Sequence, residues 1–303
     1  MDRSMCGIVG LFLKDQALEP ELGAMLAGML EELGDRGPDS AGVAVYGPET
    51  PGRLKLTVRL PAIVSAMDLT VALGEFLESV IVVDARGGHA VLAIPAEAAA
   101  TAVEWLSREL PDVTLVGEGR RMELYKDIGR PETVTARIAL REMSGTHGVG
   151  HTRMATESAV TIDGAHPFST GRDQCLVHNG SLSNHNDVRR LLQREGLAFR
   201  TANDSEVAAA YLSWRMRKGM TLGEALEASL GDLDGFYTFV VGTESGFGVL
   251  RDTYACKPAV MAETDRYVAF GTEYRALAGL PGIEGASVWE PEPRTPYFWD
   301  IAA

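Results

Sequence analysis

The sequence is short of cysteine, with only Cys6, Cys175 and Cys256 in 303 residues. They lie far apart and form no C-x-x-C pair. That excludes a disulfide framework and a zinc site built on cysteine, and it suits a reduced, cytoplasmic setting. Long apolar runs are missing too. None approaches the roughly 20 residues that span a bilayer, and the N-terminus lacks the charged-then-apolar layout of a signal peptide. Positive charge is scarce: 28 Lys and Arg against 42 Asp and Glu give a net charge of -14. A chain of that sign has no basic stripe for nucleic acid and no attraction to an anionic membrane. Metal-binding spacing is also lacking. His147, His151, His166, His178 and His185 cluster in the sequence, but none forms an H-x-x-x-H pair on a helical stretch, and no carboxylate group completes a shell. No metal is expected.

What is present is apolar residue in quantity, 46% of the chain, enough to bury the core of one large domain or two small ones. GIVGLFL, residues 7–13, reads as a buried strand. Residues 19–33 carry Leu22, Met25, Leu26, Met29 and Leu30 at helical spacing, followed by the loop GDRGPDSAG and a strand over 42–46. At GPETPG the composition changes. Residues 51–118 then read strand, helix, strand, strand, helix, strand, with an Arg-Gly-Gly turn between the middle strands, the order of a ferredoxin-like βαββαβ unit. This stretch is expected to be an inserted α/β subdomain serving subunit contact or regulation; the alternative is that its strands extend the main sheet. Residues 6–50 and 119–303 form the main domain. In it, 147–155 and 173–182 read as strands ending in polar loops, NDSE and TLGE as capping boxes opening helices, and 236–252 as a hairpin.

The stretch MDRSMCGIVG places a cysteine directly before the first strand. Cys6 is either a core residue at a strand start or a nucleophile. A nucleophile needs a base. If Cys6 became the first residue of the mature chain, its own α-amino group, with an ordinary pKa of roughly 7.7–8.0, would serve. Acyl transfer also needs donors aimed at a developing oxyanion. In HNG, residues 178–180, read as the end of an apolar strand, Asn179 offers a side-chain amide and Gly180 lets a backbone N–H approach closely. An amino-acid substrate needs a cation and an anion as well. Arg153 has the fork that grips a carboxylate, or it forms a surface ion pair. Asp204 accepts from an ammonium, or it serves a helix start.

CGIVG, RGPDSAG, GHTRMAT, AHPF, VHNGSLSNH and NDSE occur in this order. The set resembles the glutaminase domain of class II glutamine amidotransferases, the N-terminal-nucleophile family, over nearly the whole chain outside the insert. The resemblance implies an α+β fold, a four-layer αββα N-terminal-nucleophile hydrolase sandwich carrying the inserted ferredoxin-like βαββαβ subdomain. It also implies hydrolysis of glutamine, or a related γ-glutamyl amide, through a γ-glutamyl thioester. By motif, Cys6 is the nucleophile and its freed amine the base, and Asn179 and Gly180 form the oxyanion hole. Arg153 takes the substrate α-carboxylate, Asp204 the α-ammonium, and Arg36 closes over the site. Met154 departs from the tryptophan or tyrosine that relatives often carry.

No acceptor domain accompanies these motifs. Among stand-alone relatives the opening and the RGPDSAGVAVYG stretch look most like the amidotransferase-like subunit of N-methylglutamate synthase. That implies a hetero-oligomer with synthase-type partner subunits. FMN and an iron–sulfur cluster would sit on those partners, with no cofactor on this chain. Two other readings stand beside it: a catalytically silent glutamine-binding regulatory or structural subunit, and a free-standing amidohydrolase acting on another small amide. The five residues before Cys6 are expected to be removed, either because translation starts at Met5 or because MDRSM is clipped.

Overall fold

The computed structural model describes residues 6–154 and 160–301. The leader MDRSM and the Ala155–Thr156 end of GHTRMAT, both singled out above, lie outside the described residues.

The strand Gly7–Leu13 is buried at every position, and its neighbours explain why. It pairs antiparallel with His147–Arg153 on one side and Tyr267–Gly271 on the other. Alternate side chains then point to opposite faces. Val9, Leu11 and Leu13 meet Leu22, Leu26 and Leu30 of the helix Leu22–Glu31. Ile8 and Phe12 meet Val177, Val240 and Phe247 of a second sheet. With both faces covered, the strand reads as an unbroken apolar run. Gly10 lets the sheets close: a Cβ there would lie 3.2 Å from both Phe247 and Val240.

The first sheet has seven strands, in the order Ser287–Trp289, Val260–Glu263, Tyr267–Gly271, Gly7–Leu13, His147–Arg153, Ser40–Tyr46 and Met122–Ile128. The second has five: Tyr297–Asp300, Gly246–Arg251, Gly235–Gly242, Gln174–Leu182 and Phe168–Gly171. On its outer face Leu176, Phe239, Val241 and Leu250 pack against Val207, Ala208, Tyr211 and Leu226 of the helices Asp204–Arg217 and Leu222–Asp232.

Four strands form a third sheet, Val82–Arg86, His89–Pro95, Arg53–Arg59 and Thr114–Gly119, antiparallel throughout. Its core joins Leu54, Leu56, Val58, Leu92 and Ile94 to Leu69, Leu73 and Leu106 of the helices Ala66–Phe76 and Ala99–Glu109. The hairpin turns on Gly87 and Gly88, both at positive φ, 54° and 80°, which suits the right-handed twist of the paired strands. The other face of this sheet meets the strand Met122–Ile128, with Val91 joining the core beside Tyr125 and charged side chains around it. Lys55 reaches Glu123 at 2.7 Å, and Arg59 reaches Asp127 at 3.5 Å. The alternation in RLKLTVR is thus apolar toward its own helices and charged toward the larger body.

Three expectations need correction. The first helix begins at Leu22, because Pro20 sits in a preceding 3-10 turn. HNG lies inside the strand Gln174–Leu182 rather than at its end, since Asn179, Gly180 and Ser181 all stay paired with residues 236–238. NDSE is not a capping box. Asn203 caps the Ser205 N–H at 2.9 Å, but Glu206 turns away to accept from the Arg200 and Thr201 N–H groups, each at 2.8 Å. Thr201 already occupies the Asn203 N–H that a capping-box glutamate would take. TLGE does form the full box.

Candidate active site

Cys6 stands just before Gly7–Leu13, the central strand of the seven-stranded sheet. It is partly buried and free of any disulfide. Burial pushes its thiol pKa up; the Met154 backbone and the charges of Arg153 and Arg36 pull the other way. The side-chain amide of Asn179 donates to the Cys6 carbonyl at 3.2 Å. A residue from position 6 and one from position 179 therefore meet where the sheets face each other.

Gly180 follows with φ +147°, and a Cβ there would fall 1.9 Å from the Phe236 carbonyl. Only glycine fits that ladder position, so its backbone is presented without a side chain. Arg153 ends the strand that neighbours Gly7–Leu13 and is 8% exposed. Its carbonyl accepts from the Asp39 N–H at 3.0 Å, and Gly164 leaves room beside its guanidinium. Arg36 is held by an ion pair with Glu273, which directly follows Thr272. The Thr272 hydroxyl in turn accepts from the Ile8 N–H at 2.8 Å.

Asp204 opens its helix and is directed at the same strand that bears Asn179. One carboxylate oxygen accepts from the Leu182 N–H at 2.8 Å. The other lies 3.9 Å from His178 Nδ1. Part of its role is thus to fasten the helix start to the strand. The structure brings Cys6, Asn179, Arg153 and Arg36 into one neighbourhood and hangs Asp204 from the strand beyond Gly180.

The residues behind the site carried a weak signal in the sequence or none. His178 Nδ1 and the Ser205 hydroxyl are hydrogen-bonded at 2.8 Å, both buried. His151 donates Nε2–H to the His178 carbonyl at 3.2 Å and stacks on His166 with ring centroids 4.1 Å apart. Burial lowers the pKa of all three rings, His151 to about 3. They are neutral spacers between sheets, and among the described residues no His, Cys, Asp and Glu group has the arrangement of a metal shell. The position of His178 directly before Asn179, and of Ser205 directly after Asp204, was the available clue. Glu273, 237 residues from Arg36, gave none.

Residues 151–279 match a family model described as a glutamine amidotransferase domain. The chain is 61% identical over 298 residues to the glutamine amidotransferase-like protein GlxB of Rhizobium meliloti, covering 98% of each. It is 34% identical to a putative glutamine amidotransferase of Methanothermobacter thermautotrophicus, covering 90% of this chain and 93% of that one. Among solved structures it resembles the glutamine phosphoribosylpyrophosphate amidotransferase of B. subtilis, with a TM-score of 0.60 at 19% identity. That match takes in 98% of this chain but 49% of the other, and it speaks for the fold alone.

Proposed function

The chain belongs to the glutamine amidotransferase family, and from that premise we propose that it is a class II glutaminase subunit. It hydrolyses glutamine, or a related γ-glutamyl amide, through a γ-glutamyl thioester on Cys6. The observation that carries this reading is the Asn179 amide lying on the Cys6 carbonyl at 3.2 Å. A donor so close to the nucleophile's own backbone suits an oxyanion hole completed by Gly180. Arg153 grips the α-carboxylate, Asp204 receives the α-ammonium, and Arg36 moves from Glu273 to close the site. Two facing sheets with helices packed on their outer faces support the αββα reading. The strand order of the third sheet supports the ferredoxin-like insert of 51–118.

In the finer reading the chain passes ammonia or an amine to synthase-type partner subunits of an N-methylglutamate synthase or glutamate-synthase-like complex. The direct test is ammonia release from glutamine by protein with a free Cys6 amine, together with trapping of an acyl-enzyme mass on Cys6. Both signals are expected. Glutamine binding without ammonia or adduct would favour the silent regulatory subunit instead.

A further inference from the structure

On the third sheet the basic side chains are turned to other groups of the protein, while Arg108 on the helix Ala99–Glu109 is exposed beside Glu109. Lys55 and Arg59 are spent on Glu123 and Asp127 of the larger body. Arg53 donates to the Val80 and Ala93 carbonyls, and Arg86 bonds Asp84 at 2.8 Å. Asp68, Glu75 and Glu78 stand exposed on and after the helix Ala66–Phe76. Beside Asp68 and Glu75, which share one side of the helix, runs an apolar strip. Ile63, Met67 and Val71 recur every fourth residue and are 89%, 64% and 52% exposed; the two on the helix share one face. Gly74 lies farther along that face, and a Cβ on it would meet the Ser79 carbonyl and Ile81, so this side of the helix adjoins the next strand. Val80 follows in the turn after the helix at 76% exposed. Val82, 57% exposed, stands on the edge strand with its side chain on the sheet face opposite the helices, since it pairs with Ala93 while Val83 pairs with the core residue Leu92. The strand Val82–Arg86 is the sheet edge, paired only with His89–Pro95 among the described residues.

We propose that this strip is a docking surface for a partner protein that presents an extended apolar segment flanked by Lys or Arg. Exposed apolar side chains beside an open strand edge are costly to leave uncovered, and natural sheets usually blunt such edges. An extended segment gains ladder hydrogen bonds from the edge and apolar contact from the helix face. The acidic rim sets the sign of the partner. A second copy would bring Asp68, Glu75 and Glu78 against their own equivalents and join two chains of net charge -14, which like-charge repulsion opposes. The proposal rests on reading the chain as one subunit of an assembly, and not on the chemistry at Cys6.

The test places a photo-crosslinking benzoylphenylalanine at Met67, Val71 or Val82 of the full chain in its native host. Leu191, exposed on a helix of the main body, is the control. Irradiation should join one and the same foreign protein to all three positions and not to Leu191, through a peptide bearing Lys or Arg beside apolar residues. The double variant Met67→Glu, Val71→Glu changes only exposed side chains. It should weaken that complex by at least about tenfold, as should raised salt, which screens exposed charge. Crosslinks only to a second copy, equal crosslinking at Leu191, no protein crosslink at the three positions, or a complex indifferent to the double variant would each overturn the proposal. Ammonia release by the isolated chain is read separately. Docking without ammonia release would refute the glutaminase reading alone, and ammonia release without docking would refute this surface alone.

Discussion

His151 donates its Nε2–H to the backbone carbonyl of His178 at 3.2 Å, and that bond ties the strand ending in Arg153 to the strand carrying Asn179. The proposed carboxylate grip and the proposed oxyanion donor are thereby held at a fixed spacing by a ring whose protonated form burial disfavours.

This predicts a loss of stability in mild acid. His147 and His151 are pushed by burial to about 3, from an ordinary value near 6.5, and His166 and His178 shift the same way. In the unfolded chain these rings take up protons below about pH 6.5; in the fold they resist until far lower. The unfolded state therefore binds more protons as pH falls, and the stability contributed is complete above about 6.5 and lost progressively toward about 3. Each ring that stays neutral contributes a slope of up to about 1.4 kcal/mol per pH unit within that window. Urea unfolding should show a midpoint that drops between about pH 7 and about pH 5.5, above the range where carboxylates titrate. A flat or rising midpoint there would contradict the burial of neutral rings.

The Asn179 amide carries two N–H bonds. One rests on the Cys6 carbonyl, and the second is the one assigned to the developing oxyanion. Asn179→Ala should cut turnover by roughly 10²–10³ with a modest change in KM. Steady-state kinetics with the nucleophile intact would decide it; turnover at the wild-type level removes Asn179 from the oxyanion hole.

Arg153 makes its proposed contact in ground state and transition state alike, so its loss should appear mainly in KM. Arg153→Lys keeps the charge but loses the planar fork that matches a carboxylate, and KM for glutamine should rise with kcat little changed. An unaltered KM would place the carboxylate elsewhere.

The parts legible in the sequence are those where one pattern served one purpose. GIVGLFL reads as a strand because both of its faces are covered. The Arg-Gly-Gly turn reads as a hairpin because positive φ needs glycine. The strand Met122–Ile128 carries no such pattern in the sequence. It buries Lys126 and Asp127, which are satisfied by the Ala165 carbonyl, by Arg59 from a distant segment and by Arg137 from the helix that follows. Charges neutralised across the fold look like surface charges in one dimension. The partners behind the site, Ser205 for His178 and Glu273 for Arg36, were hidden for the same reason. Roles at the site came from motif order; the burial of Arg153 and the anchoring of Asp204 to Leu182 came only with the fold.

If the narrower reading holds, methylamine is the amine on the acceptor side, and γ-glutamylmethylamide differs from glutamine by one methyl on the leaving nitrogen. A change of that size is worth only about 1–3 kcal/mol of discrimination. Both amides should then be hydrolysed. Competition kinetics measures the ratio; a kcat/KM for the methylamide more than about 10⁴ below that for glutamine lies beyond the range a single methyl explains.

The last prediction concerns the residues before Cys6. In the proposed mechanism the base is the α-amino group of Cys6 itself. While MDRSM remains attached, that nitrogen is an amide whose lone pair is delocalised into the peptide bond, and it takes no proton near neutrality. A free amine titrates at roughly 7.7–8.0 and does. The burial that pushes the Cys6 thiol up makes an adjacent base more necessary, because few molecules would otherwise hold a thiolate. Two routes free the amine: translation from Met5 with that methionine then removed, or clipping of MDRSM. The first is favoured because Met5 stands directly before the cysteine. Intact-mass analysis of protein from its native host should give a chain that starts at Cys6, and that form alone should release ammonia from glutamine. A silent subunit would keep its leader and give no ammonia. Protein that still begins at Met1 and yet hydrolyses glutamine would show that another group serves as the base, and the N-terminal-amine mechanism would fall.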